Sequence, residues 1–238
     1  MRSWRRQTAA NPTGAAYDGD ELRALAAVCL RHDLTVVSDD VYERLTYDGF
    51  EQRHLLAVCP ELRARTIAVS SCSKTYAMTG WRLGYAAGPA HVIAAMQTVQ
   101  GQSTGNPSSI AQAAAAAALA GPQECVEAMR AEFARRRGFI LERLRAMPGV
   151  TVVAPRGAFY VLPNVEPFLG KRGAEGPITS TVALARHVLA ETGVAVVAGD
   201  DFGAPGHIRI SYATSMPLLE RGLDRLDRAL GVMVSAVR

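Results

Sequence analysis

The sequence contains only two lysines, Lys74 and Lys171, so a reaction that needs a side-chain amine has two candidates. Lys74 follows two hydroxyl residues, Ser71 and Ser73, which come directly after an apolar run at residues 66–70. An amine beside two hydroxyls at the end of such a run could bind a carbonyl compound that also carries a phosphate. Lys171, in contrast, lies in a segment rich in glycine and charge.

A carboxylate and a phenol follow a second apolar run. Residues 34–38 end at Asp39, and Tyr42 lies three positions beyond it, while Arg82 lies eight positions after Lys74. Pyridoxal phosphate forms a Schiff base with a lysine, and its ring nitrogen needs a carboxylate partner. Its phosphate binds hydroxyls and arginine, and its phenolate oxygen accepts hydrogen bonds. The residue types therefore match the requirements of this one cofactor.

Short β-branched runs alternate with longer helical stretches, a pattern typical of an α/β protein with a mainly parallel sheet and flanking helices. We predict strands at residues 34–38 and 66–70, with a helix at residues 20–32. In open parallel sheets, ligands bind outside the carboxyl ends of the strands. We therefore expect Asp39 and Lys74 to lie at the same edge of the sheet.

The pattern changes near residue 145. Residues 1–145 are predicted to form part of a large α/β domain, and residues 146–238 a smaller α+β domain. The smaller domain is predicted to begin with a strand at residues 150–154, because valine and threonine dominate that segment.

Composition argues against several other classes of protein. Hydrophobic residues make up 49% and charged residues 20%, as in soluble globular proteins, and no apolar run reaches the roughly 18 residues of a membrane span. The N-terminus lacks the apolar core of a signal peptide, so we expect a cytoplasmic protein. The four cysteines and five histidines show no metal-ligand spacing, which predicts no metal site. A net charge of +4 is too small to indicate nucleic-acid binding.

Five segments together resemble a known family, the class I/II aminotransferases, which are pyridoxal-phosphate enzymes of fold type I. The lysine segment, Ser-Ser-Cys-Ser-Lys-Thr-Tyr-Ala-Met-Thr-Gly-Trp-Arg-Leu-Gly, carries most of the resemblance, and the others follow the family's order and spacing. They are the Asn-Pro-Thr-Gly turn at Asn11–Gly14 and the segments at residues 38–43, 70–84, 157–160 and 208–211. The resemblance implies a partial large domain of that fold, and an aspartate aminotransferase-like protein.

The resemblance also implies roles around the cofactor ring. Lys74 would be the catalytic residue, binding the cofactor covalently and moving a proton during the reaction. Asp39 would pair with the pyridine nitrogen. Tyr42 and Asn11 would hold the phenolate oxygen, and Asn11 would also contact the substrate carboxylate.

The remaining roles concern the phosphate and the substrate. Ser71, Ser73 and Arg82 would bind the cofactor's phosphate, and Arg209 would bind the substrate's α-carboxylate as a two-pronged fork. The implied reaction is amino transfer between an amino acid and a 2-oxo acid. The substrate stays open between aspartate, which the style of the lysine segment favours, an aromatic amino acid and prephenate. The implied partners are those two substrates and, for a complete enzyme, a second copy of the chain in a homodimer, with no nucleic acid and no membrane.

The chain departs from the family pattern at its N-terminus. In the family a large stretch precedes the Asn-Pro-Thr-Gly turn, whereas here the turn begins at Asn11. Residues 1–10 are polar and basic, so we predict no strand there. We expect a fragment that lacks the family's N-terminal portion, from a truncated, mispredicted or disrupted reading frame.

Other functions remain open at this point. A pyridoxal-phosphate lyase or synthase of the same fold would use the same residues, since the pocket decides which bond the cofactor breaks. A non-catalytic aminotransferase-like fragment, or the sensor domain of a transcription regulator, would keep the fold without the reaction. Singly, the residues also have structural interpretations, because Asp39 could cap a helix and Ser71 and Ser73 could form a turn.

Overall fold

The computed structural model describes residues 3–7, 9–173 and 176–235, with side chains as far as residue 233. These residues form nine strands of two to six residues and eight helices of four to 23 residues. The strands are β1 (Ser3–Gln7), β2 (Thr35–Asp39), β3 (Thr66–Ser71), β4 (Gly84–Ala87), β5 (Tyr160–Val161), β6 (Arg172–Gly173), β7 (Gly176–Pro177), β8 (Val197–Ala198) and β9 (Ile208–Ser211). The helices are α1 (Gly19–Arg31), α2 (Leu55–Val58), α3 (Cys72–Thr75), α4 (Ala90–Ser103), α5 (Ser109–Ala120), α6 (Glu124–Ala146), α7 (Thr181–Thr192) and α8 (Met216–Ser235).

Contacts within the chain divide it into two compact units. Unit 1 contains the described residues of Met1–Ala10, Ala15–Arg130 and Arg156–Ala158. Unit 2 contains Asn11–Gly14, Ala131–Pro155 and the described residues of Phe159–Arg238. The division into domains at residues 1–145 and 146–238 stays a prediction.

Unit 1 is built on a four-stranded sheet in the order β1-β2-β3-β4, where the first three strands are parallel and β4 is antiparallel. Helix α1 begins with a capping box, in which Asp18 accepts hydrogen bonds from the first helical turn and Glu21 accepts one in return. Its apolar face buries Leu22 and Cys29 in a cluster that also holds Val36 of β2. The predicted α/β architecture with a mainly parallel sheet is confirmed.

Strand β1 contradicts the prediction that residues 1–10 form no strand. It pairs in parallel with β2 from Ser3 to Gln7, as the outermost strand of the described sheet. Its alternate residues Trp4 and Arg6 share one face, and Trp4 packs against the apolar cluster behind β2. Arg6 is only 1% exposed, and an ion pair with Asp40 compensates its buried charge. A polar sequence can therefore form this strand, because its cation has a partner elsewhere in the chain.

Unit 2 contains a three-stranded antiparallel sheet in the order β5-β9-β8, together with the short hairpin β6–β7. Helix α7 begins at Ser180, whose hydroxyl accepts a hydrogen bond from the backbone of Ala183, and it ends at Gly193 in the left-handed conformation. The core of the unit is formed by buried side chains of several elements. They are Phe168, Leu184, Val188, Ile208, Tyr212, Leu223 and Leu226.

The strand predicted at residues 150–154 does not form. Only Thr151 pairs, in an isolated bridge with Asn164, and Val153 is 85% exposed. Valine and threonine favour a strand only where a neighbouring strand pairs with the segment and covers one face. The prediction was wrong because the sequence of a segment does not show whether such a neighbour is present.

Candidate active site

The junction of β3 and α3 places Lys74 beside two hydroxyls. Ser71 ends β3, and its Oγ accepts a hydrogen bond of 3.0 Å from the backbone N–H of Ser73 at the start of α3. The same Oγ lies 2.7 Å from the Oγ of Ser73 and donates a 2.8 Å hydrogen bond to the carbonyl of Leu83. Lys74, one residue further along α3, is half-buried.

Strand β4 approaches this junction closely at Gly84. A Cβ atom at Gly84 would lie 3.0 Å from the carbonyl oxygen of Ser70, so a side chain there would push the two strands apart. The segment before β4 turns through Arg82, whose backbone is left-handed at φ +53°. The exposed Arg82 guanidinium donates a 2.9 Å hydrogen bond to the carbonyl of Thr79. Arg82 thus follows the lysine segment on a turn that leaves it accessible.

Asp39 ends β2 at the same edge of the sheet, as predicted from the parallel pairing. It lies in register with Val69 of β3, two residues before Ser71. Its carboxylate accepts hydrogen bonds from Arg5 at 3.2 Å, from Gln7 at 3.4 Å and from the backbone N–H of Val41 at 3.4 Å. An ionised carboxylate has about four acceptor positions, so these donors leave room for one more partner.

A charged cluster lies directly behind Asp39 and was missed by the sequence analysis. Asp40 is buried, and it pairs with the buried Arg6 at 3.3 Å and with Nδ1 of His54 at 3.6 Å. Nε2 of His54 lies 3.2 Å from Glu43. Hydrogen bonds to Asp40 and then to Glu43 raise the pKa of His54 to about 10. The cluster joins the end of β2 to β1.

Tyr42 is buried, with 3% of its surface exposed, in the turn between β2 and α2. Unit 1 contains six of the predicted site residues, all of them at or beyond the carboxyl ends of β2 and β3. They are Asp39, Tyr42, Ser71, Ser73, Lys74 and Arg82. Their roles toward a cofactor stay predictions.

Unit 2 contains the other two predicted site residues and brings them into contact. Arg209 lies on β9, in register with Val197 of β8, and its Nη1 donates a 3.0 Å hydrogen bond to Oδ1 of Asn11. Nε of Arg209 is buried without a hydrogen-bond partner among the described residues. Because an unpaired buried N–H costs about 1–3 kcal/mol, this edge of the guanidinium favours a ligand with acceptor oxygens. A carboxylate fits, since it accepts two parallel hydrogen bonds from an arginine.

Two aromatic residues near Arg209 were also missed. Its guanidinium carbon lies 4.8 Å from the ring centroid of Tyr160 and 5.0 Å from that of Phe202. Tyr160 belongs to one of the segments that carried the family resemblance, so the sequence contained a signal for it. Phe202 had none, because its position depends on the turn that precedes β9.

Neither a membrane-spanning helix nor a cluster of metal ligands occurs in the residues that the structure describes. No helix in residues 3–7, 9–173 and 176–235 is long and apolar enough to cross a membrane. Within the same residues, histidine, cysteine, aspartate and glutamate form no group of three or more that could hold a metal ion.

The sequence matches one protein family and several individual proteins. A sequence model of the family described as aminotransferase class I and II matches residues 7–226. The chain is 46% identical to the aspartate aminotransferase of Geobacillus stearothermophilus, over 92% of this chain and 54% of that protein. It is 48% identical to the aspartate/prephenate aminotransferase of Cereibacter sphaeroides, over 91% of this chain and 55% of that protein. The chain thus spans about half the length of these relatives.

Solved structures show the same likeness. The aspartate aminotransferase of Rhizobium meliloti superposes with a TM-score of 0.92 at 41% identity, over 97% of this chain and 58% of that one. The aromatic aminotransferase of Pyrococcus horikoshii superposes with a TM-score of 0.89 at 37% identity, over 97% of this chain and 60% of that one. These matches confirm the predicted fold type.

Proposed function

We propose that this chain, which belongs to the class I and II aminotransferases, binds pyridoxal 5′-phosphate covalently through Lys74 and contributes to amino transfer between an amino acid and a 2-oxo acid. The observation that carries the proposal is the junction of β3 and α3. One of only two lysines in the sequence follows the strand directly there, beside Ser71 and Ser73. Asp39 ends the neighbouring parallel strand at the same edge.

The donor set in unit 1 suits this cofactor. The Lys74 amine would bond the cofactor's aldehyde carbon, and Asp39 keeps an acceptor position with which it would hold a proton on the ring nitrogen. Tyr42 would donate to the phenolate oxygen. Ser71, Ser73 and Arg82 are the hydroxyl and guanidinium groups that would bind the phosphate.

Lys74, Arg209 and Asn11 would then act on the substrate. When bound, the cofactor supplies an electron-withdrawing ring that stabilises negative charge at the substrate's Cα. Lys74 would take the proton from Cα and return it to the cofactor side, as a positioned general base and acid. Arg209 would fix the substrate through its α-carboxylate, with Asn11 orienting the guanidinium through the observed hydrogen bond.

We propose aspartate as the amino acid, supported by the names of relatives that match over more than nine-tenths of this chain. These are called aspartate aminotransferases and aspartate/prephenate aminotransferases, and one is called an asparagine–oxo-acid transaminase. We also propose a homodimer and a cytoplasmic location. Light scattering of the purified chain and fractionation of the producing cells would test these two proposals.

The test uses the unusual scarcity of lysine. The chain is titrated with pyridoxal phosphate, reduced with borohydride and digested, and mass spectrometry then locates the added mass. We expect a visible absorption band and label on Lys74, which persist in Lys171→Arg and disappear in Lys74→Arg. Label shared equally between Lys74 and Lys171, as on any pair of accessible amines, would contradict the proposal.

A further inference from the structure

The guanidinium of Arg209 lies over two aromatic rings of the same unit. Its central carbon is 4.8 Å from the ring centroid of Tyr160 and 5.0 Å from that of Phe202. A cation over a ring face is attracted by the ring's electrons, and arginine commonly stacks on such a face with the flat face of its guanidinium. The N–H groups lie in the guanidinium plane and point away from its faces. A stacked contact of this kind leaves the hydrogen-bonding edge of a guanidinium to other partners.

The in-plane donors of that edge are only partly used. Nη1 donates to Asn11, whereas Nε is buried and has no hydrogen-bond partner in the part of the chain that the structure describes. A carboxylate that accepts from the edge of a guanidinium must lie in the guanidinium plane. The orientation of this plane therefore decides where a carboxylate can bind.

Backbone hydrogen bonds fix the segments that carry the two rings. Tyr160 lies on β5 and pairs with Ser211 of β9, so its strand is hydrogen-bonded to the strand that carries Arg209. Phe202 ends the 3₁₀ turn Gly199–Phe202, in which the N–H of Gly199 donates a 2.8 Å hydrogen bond to the carbonyl of His207.

The turn that carries Phe202 is also tightly closed. A Cβ atom at Gly199 would lie 2.2 Å from the carbonyl oxygen of Ala204, so only glycine fits there. A hydrogen bond that the hydroxyl of Thr181 donates to the carboxylate of Asp200 also holds this turn. The position of Phe202 is thus set by the turn as well as by its contact with Arg209.

We propose that Tyr160 and Phe202 are positioning residues, which fix the plane of the Arg209 guanidinium so that a planar carboxylate binds its edge without reordering the side chain. The proposal deepens the proposed function and rests on Arg209 as its carboxylate site. An arginine has several rotatable bonds, and binding is weaker when the ligand must order them. Rings that hold the guanidinium beforehand remove that cost.

The experiment follows the Nε–Hε NMR signal of Arg209 in the ¹⁵N-labelled chain, assigned by its loss in Arg209→Lys, while pyruvate is added. We expect pyruvate to shift the signal. In Phe202→Leu we expect about fivefold weaker binding, which corresponds to about 1 kcal/mol and to the loss of one ring contact. Phe202→Tyr restores a ring face and should bind pyruvate as the unaltered chain does.

A matched control removes a ring from another arginine of the same unit. Phe139 lies 5.8 Å from the guanidinium carbon of Arg143, so Phe139→Leu reports any general effect of losing such a contact. We expect it to leave pyruvate binding unchanged. Equal affinity in Phe202→Leu and the unaltered chain, or equal weakening in Phe202→Leu and Phe139→Leu, would overturn the positioning role and leave Arg209 as the carboxylate site. Absence of any pyruvate-induced shift in the unaltered chain would overturn the carboxylate site itself.

Discussion

Replacing Asp40 with asparagine tests the buried charge cluster behind the candidate site. The side chain of Arg6 is 0% exposed and that of Asp40 is 6% exposed, and the two lie 3.3 Å apart. Removing one partner of a buried ion pair costs about 3–5 kcal/mol, because the remaining charge stays buried without compensation. Arg6 keeps its hydrogen bonds to Ser38 and to the carbonyl of Arg53, so we expect a loss near the lower end, about 3 kcal/mol.

The assay is urea unfolding followed by tryptophan fluorescence, which reports on unit 1 because both tryptophans, Trp4 and Trp81, lie there. The urea concentration at half-unfolding should be lower for Asp40→Asn, while the slope of the free energy of unfolding against urea concentration stays the same. The control is Glu51→Gln, which breaks the exposed ion pair of Glu51 with Arg53 and should cost less than about 1 kcal/mol.

The double variant Arg6→Met/Asp40→Asn separates charge from packing. Methionine removes the uncompensated cation, so the double variant should be more stable than Asp40→Asn alone. A loss below about 1 kcal/mol in Asp40→Asn, or no recovery in the double variant, would refute the claim that Asp40 compensates Arg6.

Two further predictions concern His54 and the turn at Gly199. The folded pKa of His54 is about 10, above its ordinary value of 6.5, so its stabilising charge is fully present below pH 6.5 and is lost as the pH rises to about 10. Since His54 is half-exposed, urea unfolding should show a loss of about 1 kcal/mol over that range, and His54→Gln should lack it. Gly199→Ala should destabilise unit 2 by about 1–3 kcal/mol in thermal unfolding, because the added methyl group would meet the carbonyl of Ala204. Gly222→Ala, in α8 with open space around it, should instead stabilise the unit by up to about 1 kcal/mol, and the opposite order would contradict the packing at Gly199.

The strands that lead to the candidate site were predicted correctly because they depend on local patterns. The apolar runs before Asp39 and Ser71 became β2 and β3, and their parallel pairing placed both ends at one edge of the sheet. The strand periodicity and the rule for parallel sheets were sufficient for this. The lysine segment needed no tertiary information, because the short helix α3 follows the strand directly.

The parts that were missed depend on contacts between distant residues. Arg6 could become a core residue only because Asp40, 34 positions away, supplies a buried carboxylate. The contact of Phe202 with Arg209 depends on a turn closed by Gly199, and a phenylalanine in a glycine-rich loop gives no sign of that role. The periodicity of a segment does not show which distant residues contact it.

Transfer of nitrogen in a single turnover shows directly whether Lys74 supports amino transfer. The chain is loaded with pyridoxal phosphate and freed of excess cofactor, ¹⁵N-labelled aspartate is added, and the cofactor is released with acid and weighed by mass spectrometry. Cofactor from the unaltered chain and from Lys171→Arg should gain one ¹⁵N amino group, whereas cofactor from Lys74→Arg should gain none within the same time. Cofactor that stays bound but gains no ¹⁵N from aspartate or any other amino acid, or that gains it equally without Lys74, would rule out amino transfer through Lys74.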